Sequence, residues 1–426
     1  MTLLIQSIPL KRWAALLPFF IASIAVVDPV SAQFVERHDD ILQLDGEPWY
    51  FGGANNYYLS YSSPFMVDSL LLDALAMDLR VIRIQAYIDC GSLDGSVPSV
   101  VDPCDINGVY FQAWDDALGA PVYNDGENGL EMLDYAVAEA GELGLKLILP
   151  LTNNWIDFGG MDQYLYWFGL EYHDQFYTDA DVRDAYTAWI DHLIHRVNVY
   201  TGTMYRDDPT ILAWELANEP RCGNGNLPTS ADCTPEMLTA WADDVSTYIK
   251  SIDPNHLVAM GDEGMFNWDE STDILYDGSL GGDFEAFLEL PAMDLGTFHL
   301  YPDLWGRSAE WGVGWIEDHI DAAFAIGKPV IMEEFGLQNQ QIRDDVYATW
   351  TDTLHDAAGN GFAFWMLASE SDDGTLYPDY DGFTVYYPSS TADVLSEAAQ
   401  DMEAFDGTPE PIPVGCSSAR AIQRSW

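Results

Sequence analysis

The sequence predicts a (β/α)8 barrel, an α/β fold, in a single domain with extended βα loops. The first observation is a series of eight β-rich apolar runs of strand length, at positions 49–53, 81–85, 145–151, 211–217, 257–261, 295–300, 329–334 and 362–367. The second is a set of stretches between them with apolar residues at helical spacing, at 130–143, 181–200, 235–252, 309–326 and 342–358. The third is that no Ser/Gly/Pro-rich linker and no internal repeat divides the chain between Gln33 and Pro409. Eight βα units in one domain favour a closed barrel, whose active site lies on the loops after the strands.

The amino terminus has the pattern of a secretory signal peptide. Lys11 and Arg12 precede an apolar run at 13–27, and the small residues of Val30-Ser31-Ala32 form a cleavage site before Gln33. A retained membrane anchor is the alternative, but the run is short for a span and nothing later reaches eighteen apolar residues. We therefore expect a signal peptide at 1–32, a catalytic barrel at 33–405 and a flexible or trimmed tail at 406–426.

The charge is strongly acidic, with 70 Asp and Glu against 16 Lys and Arg. A field of this sign repels nucleic acid and anionic lipid, so neither is an expected partner, and the exported chain is expected to leave the membrane after signal cleavage. The carboxylates are dispersed along the sequence, which indicates a solvated surface adapted to high salt.

Five cysteines in an exported chain indicate disulfides and one remainder. Cys90 and Cys104 bracket one Gly/Ser/Asp-rich loop, and Cys222 and Cys233 bracket another, so local pairing would staple both loops. Cys416 is left over in the tail. Metal binding is the alternative, but the sequence has no CxxC motif and no His-Cys cluster, and no metal or cofactor is expected.

Two motifs place a glutamate at the carboxyl end of a predicted strand. The run WELANEPR at 214–221 contains Glu219, and VIMEEFG at 330–336 contains Glu333 and Glu334; each run is broken at once by Pro or Gly. Two carboxyl groups with different pKa values are the minimum machinery for cutting a glycosidic bond, one as acid and base and the other as nucleophile or base.

Strand alternation selects between the neighbouring glutamates of the second motif. Met332 and Glu334 share one face of the predicted seventh strand, and Glu333 lies on the other. We expect Glu334 to face the barrel axis as the reactive group, and Glu333 to face the helix layer or a supporting partner.

Five motifs in order resemble the endo-β-1,4-mannanases of glycoside hydrolase family 5. They are LTNNWIDFGG at 151–160, WELANEPRC at 214–222, HLYPDLW at 299–305, EEFG at 333–336 and FWML at 364–367, and the resemblance extends from about residue 33 to 402. It implies a retaining mechanism on a (β/α)8 barrel, with Glu219 as acid/base and Glu334 as nucleophile.

The resemblance also implies roles for the polar residues around these glutamates. Arg83 matches an arginine beside the nucleophile, where a cation keeps Glu334 ionised at neutral pH. Asn218 matches the asparagine that binds the sugar 2-hydroxyl, and His299 and Tyr301 match the pair after the sixth strand, with the tyrosine hydroxyl holding the nucleophile.

Aromatic side chains should form the sugar platform, because pyranose rings present C–H faces that pack on Trp and Tyr. Trp365 matches the tryptophan at the cleavage point, and Trp155 matches another in the cleft; Arg221 and Glu263 match further cleft positions. Where family members commonly have Tyr-Trp, this chain has Tyr57-Tyr58, so Tyr58 is the expected aromatic of a distal subsite.

Three functions therefore compete. The first is a secreted, monomeric retaining endo-mannanase that acts on mannan-type polysaccharide. The second is a related barrel hydrolase of another β-glycan, such as cellulose, or an exo-acting β-mannosidase, because the catalytic residues alone do not distinguish them. The third is a polysaccharide-binding barrel without activity, which the joint presence of both carboxylates and their supporting groups disfavours.

Overall fold

The computed structural model describes residues 33–405 and Gly407. The predicted signal peptide, Cys416 and the rest of the predicted tail lie outside these residues. The eight strands of the barrel are β1 Phe51–Asn55, β2 Val81–Arg83, β3 Lys146–Pro150, β4 Ile211–Glu215, β5 Leu257–Ala259, β6 Gly296–Leu300, β7 Val330–Phe335 and β8 Gly361–Phe364. They form one parallel sheet in the order β5-β4-β3-β2-β1-β8-β7-β6. A bridge between Ala259 and Leu295, the residue before β6, completes the ring. The predicted (β/α)8 barrel is confirmed.

Ten helices of the described chain surround or cap the strands. They are α1 Pro64–Ala76, α2 Leu130–Glu142, α3 Gly160–Phe168, α4 Gln175–Thr178, α5 Ala180–Ile194, α6 Pro235–Ile252, α7 Phe284–Glu289, α8 Trp311–Ile326, α9 Arg343–Asp356 and α10 Ser390–Ala404. Short strands add a three-stranded sheet before the barrel at Glu36–His38, Ile41–Leu44 and Glu47–Pro48, another after β2 at Asp89–Ser92, Gln112–Asp115 and Ala120–Tyr123, and a pair after β8 at Leu367–Ala368 and Val385–Tyr386. None of the described helices is long and apolar enough to cross a membrane.

The predicted helices match the observed ones except at one end. The predicted helix at 181–200 stops at Ile194, because Arg196 and Asn198 turn back onto α2. The Arg196 guanidinium binds the buried carboxylate of Asp134, and the Asn198 amide donates to the Asp134 carbonyl. Sequence periodicity missed α1, which is apolar around most of its circumference, although Ser63 followed by Pro64 is a typical helix start.

The lower part of the barrel interior is apolar. Phe51, Val81, Ile148, Leu257 and Ile331 meet there with other strand residues, and a hairpin before the barrel adds Val35 and Leu42 to the same cluster. A larger core fills the space between the strands and the helices.

The upper part of the interior is polar. Arg83, Glu215 and Glu333 each follow an interior apolar residue by two positions, so strand alternation carries them inside and one layer nearer the carboxyl ends. Asn55 on β1 and His299 on β6 are buried with them. The reactive end of the barrel is therefore lined with charge below its rim.

The expected facing of β7 needs correction. Ile331 belongs to the interior cluster and Met332 to the outer core. The face of β7 that points into the barrel is therefore the one with Ile331 and Glu333, and the face with Met332 points outward. Of the two alternatives for Glu333, a supporting partner is correct, since its carboxylate contacts His299 and Arg83. Glu334 reaches the cleft because it lies at the rim, after a bulge at Glu333 of β7 that pairs it with His299 of β6.

Both predicted disulfides are present, and both lie in loops at the carboxyl ends of strands. Cys90 bonds to Cys104 in the loop after β2, and Cys222 bonds to Cys233 in the loop after β4. The loops that border the predicted site are thus each closed by a covalent bond.

Candidate active site

Glu219 lies in the tight turn after β4. Its backbone has φ +52°, a left-handed conformation that is costly for a residue with a side chain, and its amide donates to the Gly261 carbonyl at 2.7 Å. Gly261 has φ +76°, and a Cβ there would lie 2.2 Å from the Ala217 carbonyl oxygen. The turn after β5 therefore passes directly over the Glu219 turn and holds it in place.

Hydrogen bonds fix both oxygens of the Glu219 carboxylate. Oε1 lies 2.8 Å from His299 Nδ1, and Oε2 accepts from the Trp155 indole. Burial favours the neutral form, but the hydrogen bond and charge of His299 outweigh it and lower the pKa of Glu219 to about 2. Because the pKa of His299 is raised while that of Glu219 is lowered, the proton of this pair lies on the imidazole.

Glu334 receives hydrogen bonds from two donors. The Tyr301 hydroxyl donates to Oε2 at 2.7 Å, and the Arg83 guanidinium donates to Oε1. Burial raises the pKa of Glu334 above its ordinary value, while His299 and Arg83 oppose that effect. Arg83 thus acts on Glu334 in the predicted direction, against a larger cost of burial.

Arg83 organises the floor of the site. Its Nε donates to Glu215 at 2.8 Å, Nη1 to the Asn55 oxygen at 3.2 Å, and Nη2 to the Asn218 oxygen at 2.9 Å. Because the Asn218 oxygen is held by Arg83 and its amide nitrogen donates to Asn153 at 3.0 Å, the orientation of this side chain is fixed.

His299 bridges the two motifs. Its Nδ1 faces Glu219, and its Nε2 lies 3.3 Å from Glu333, so each ring nitrogen points at a carboxylate. Burial alone would lower the pKa of His299, but Glu334, Glu219 and Glu333 raise it well above its usual value.

Glu219, His299 and Glu334 present donor atoms within 4.8 Å of one another, a spacing that suits a cation. A protonated imidazole whose two N–H groups donate to carboxylates has no lone pair to offer a metal. The donor set therefore fits proton transfer better than metal binding.

The site opens into a cleft of about 840 Å3. The aromatic side chains of Trp155, Trp365 and Tyr57 line it, and Trp365 donates to Asp381 at 2.8 Å. Arg221 and Glu263 also line it, 3.5 Å apart, with the Arg221 guanidinium 4.5 Å from the centre of the Trp155 ring. A cleft with two carboxyl groups and an aromatic wall suits a sugar chain.

Tyr58 is the one predicted cleft aromatic that the structure does not bring to the cleft. Its side chain is fully buried, it stacks on Tyr377, and its hydroxyl accepts from the Ser369 amide. The preceding residue, Tyr57, lies in the cleft and stacks against Trp365 with ring centres 6.0 Å apart. The aromatic contact expected of Tyr58 belongs to Tyr57.

Comparison with known proteins supports the chemistry that this geometry suggests. A model of the glycoside hydrolase family 5 β-mannosidase-like proteins matches residues 32–369. The chain belongs to glycoside hydrolase family 5. It is therefore a glycoside hydrolase by family.

Among the relatives of this family 5 enzyme is mannan endo-1,4-β-mannosidase A of Podospora anserina. It is 35% identical over 356 residues, which cover 83% of this chain and 86% of the relative. The crystal structure of the endo-1,4-β-mannanase from Rhizomucor miehei is 39% identical, covers 88% of this chain and 100% of that one, and superposes with a TM-score of 0.81. The endo-β-1,4-mannanase from Thermotoga petrophila is 40% identical, covers 86% and 79%, and gives a TM-score of 0.75.

Sequence reasoning missed several residues of the family 5 site. Glu215 is the last residue of β4, and Asn55 is the last residue of β1. Continuing the alternation of interior residues one layer further toward the carboxyl ends of these strands would have located both. Asp381 lies in an acidic loop that gave no signal distinguishing it from solvated aspartates nearby, yet its carboxylate holds Trp365 and lines the cleft.

Proposed function

We propose that this family 5 enzyme is a secreted, retaining endo-β-1,4-mannanase with Glu219 as acid/base and Glu334 as nucleophile. The substrate rests on the relatives, which are named as mannan-cleaving enzymes at 35% to 40% identity. The mechanism rests on one observation, the approach of a Glu219 oxygen to within 4.8 Å of a Glu334 oxygen. Retaining enzymes place their carboxyl groups about 5–5.5 Å apart, whereas inverting enzymes need roughly 6.5–9.5 Å to admit a water.

In the first step Glu334 attacks the anomeric carbon and forms a glycosyl ester, while the glycosidic oxygen leaves with a proton from Glu219. That proton is available from His299 Nδ1, 2.8 Å from the Glu219 carboxylate. As the ester forms, Glu334 loses its negative charge, and the hydrogen bonds from Arg83 and Tyr301 support it as leaving group for the second step. In that step Glu219 takes a proton from a water molecule, whose oxygen attacks the anomeric carbon and releases Glu334 as a carboxylate.

The neighbouring groups serve the transition state. Asn218, held by Arg83 and Asn153, is positioned to bind the sugar 2-hydroxyl, a contact that strengthens as charge develops on the ring. Trp365 and Tyr57 offer stacking surfaces to neighbouring sugars.

Release of reducing sugar from mannan, cellulose and xylan, measured side by side, tests the substrate. Mannan should be cleaved at least tenfold faster than the others, with a rapid fall in viscosity from internal cuts. Release of mannose alone would indicate an exo-acting enzyme, and preference for cellulose would replace the proposal.

Proton NMR of the first product tests the mechanism. A manno-oligosaccharide should give the β-anomer before mutarotation, because two inversions at one carbon restore its configuration. An initial α-anomer would overturn the assignment of Glu334 as nucleophile.

Secretion is supported by two disulfides and by the signal-like segment at 1–32. Expression of the full chain in a secreting host should yield protein in the medium that begins at Gln33. Retention in the membrane fraction would restore the anchor alternative.

A further inference from the structure

Below the two reactive carboxyl groups, Glu215 and Glu333 form a second carboxyl pair. Both side chains are fully buried inside the barrel, and both carboxyl groups approach the same Arg83 Nε, at 2.8 Å for Glu215 and 3.8 Å for Glu333. Neither residue lines the cleft. The mechanism proposed above does not use them directly.

The hydrogen bonds around this pair leave two oxygens without a donor. Glu215 Oε2 accepts from Arg83 Nε at 2.8 Å, and Glu333 Oε2 faces His299 Nε2 at 3.3 Å. Oε1 of Glu215 and Oε1 of Glu333 receive no hydrogen from any amide, hydroxyl or cation of the described chain. Arg83 Nε is 3.8 Å from Glu333 Oε1, and its hydrogen is already directed at Glu215.

Two buried acceptors without a hydrogen are costly, and one proton shared by the two carboxyl groups lowers that cost. The surrounding charges also favour one shared proton. Arg83 and His299 are the two cations in contact with the pair, and they also serve Glu334 and Glu219. With every carboxyl group ionised, two cations would face four anions. The same proton between Glu215 and Glu333 reduces the anions to three.

We propose that Glu215 and Glu333 share one proton and act as a positioning pair, with Glu333 as the anion that holds the Nε2 hydrogen of His299. This proposal rests on the function proposed above. With Nε2–H fixed toward Glu333, His299 exchanges only its Nδ1 proton. In this transfer the proton on His299 Nδ1 moves to the Glu219 carboxylate. His299 is left with a free Nδ1, Glu219 becomes a carboxylic acid, and the total charge does not change.

The pKa values support the same assignment. Burial raises the pKa of Glu215 well above its usual range, with Glu333 adding to that effect and Arg83 opposing it. Burial also acts to raise the pKa of Glu333, but Arg83, Glu215 and His299 together lower it. Asp262, in the turn after β5, is a further buried carboxyl near Glu333, and burial raises its pKa to about 7.

Native-state charge tests the shared proton without any assay of activity. Glu215→Gln replaces a group that is already neutral, so its native electrophoretic mobility at pH 7 should equal that of the parent enzyme. Glu142→Gln, at an exposed position on α2, is the matched control and should shift the mobility by one charge. Both variants should differ from the parent by one charge in urea. Equal one-charge shifts of the two native variants would show that the pair is fully ionised and would overturn the proposal.

The pH profile tests the positioning role. Glu333→Gln removes the anion behind His299, so the basic limb of kcat/KM should move to lower pH by roughly 1–3 units. Glu215→Gln keeps a hydrogen donor toward Glu333 and leaves the charge of the pair unchanged. The basic limb of its kcat/KM profile should therefore stay within about 0.3 pH units of the parent's. A purely steric role of the pair would not predict this difference between the two variants. An unshifted basic limb in Glu333→Gln would refute the role. If mannan proves not to be the substrate, the mobility result still stands, so the two proposals fail separately.

Discussion

At the amino-terminal end of the barrel the buried Lys328 binds backbone carbonyls, whereas below the cleft at the carboxyl-terminal end Arg83 and His299 bind glutamates. Lys328 donates to the carbonyls of Leu288, Leu290 and Met293 at 2.6 to 2.7 Å. At the opposite end Arg83 and His299 contact four glutamates.

The two kinds of contact differ in what a buried charge can do, which is to stabilise the fold at one end and to take part in proton transfer at the other. A carbonyl cannot accept a proton at any ordinary pH, so an ammonium bound to carbonyls can only hold loops together. A carboxylate can, and a network of carboxylates and imidazole can move protons as a sugar chain is cut. Substitutions at the two ends should therefore affect different measurements, activity at one end and stability at the other.

The largest effect is expected at Glu334. Glu334→Gln should lower kcat by on the order of 10⁴- to 10⁶-fold, because the amide cannot form the glycosyl ester. Its thermal midpoint should be unchanged or higher, since burial raises the pKa of Glu334 and so makes its ionised form unfavourable to the fold near pH 7. Glu333→Gln is the matched neighbour and should stay folded with substantial activity. If Glu333→Gln were the inactive variant, the assignment of the nucleophile would be wrong.

Glu219 should give the next largest effect on activity. Glu219→Gln should lower kcat on mannan by roughly 10²- to 10⁴-fold, the usual range for a general acid/base. The loss should be smallest for aryl mannosides with activated leaving groups, and azide should restore the second step by forming a mannosyl azide. A loss that is equal for all leaving groups, with no azide product, would contradict the acid/base role.

How much of this contrast the sequence could predict depends on the type of residue. The apolar runs located all eight strands, and the broken strand ends located Glu219 and Glu334. In the layer below them Glu215 was missed. Glu333 was recognised as a possible supporting residue but assigned to the wrong face of β7, because which face turns inward depends on the barrel interior and on the bulge beside His299, which no local pattern encodes. Tyr57 and Tyr58 are adjacent aromatics, and only the packing of Tyr377 decides which of them is buried.

The amino-terminal end should respond in stability alone. Lys328→Met should lower the free energy of unfolding by about 4 kcal/mol, because it removes the ammonium group that donates to three carbonyls, two of them in buried hydrogen bonds. The kcat/KM on mannan should stay within about twofold of the parent. Urea unfolding measures the first and initial rates the second, with Lys250→Met as the matched control at a more exposed lysine of the same end. An equal loss of activity and stability in Lys328→Met would show that the two ends are coupled.

The smallest effect, on the thermal midpoint, is expected from the acidic residues that lie outside both of these clusters. With 16 basic residues against 70 acidic ones, most carboxylates cannot be paired, and their repulsion favours the unfolded chain where screening is weak. Raising the ionic strength from about 0.01 M to 1 M shortens the Debye length from roughly 30 Å to 3 Å and removes most of that repulsion. The thermal midpoint should therefore rise with NaCl at pH 7, and rise less at pH 4, where many carboxylates are protonated. The buried glutamates around His299 are shielded from salt, so kcat on an uncharged polysaccharide should change little over the same range. A midpoint that stays flat with salt at pH 7 would show that the acidic surface serves solubility or acid tolerance and contributes no salt-dependent stability.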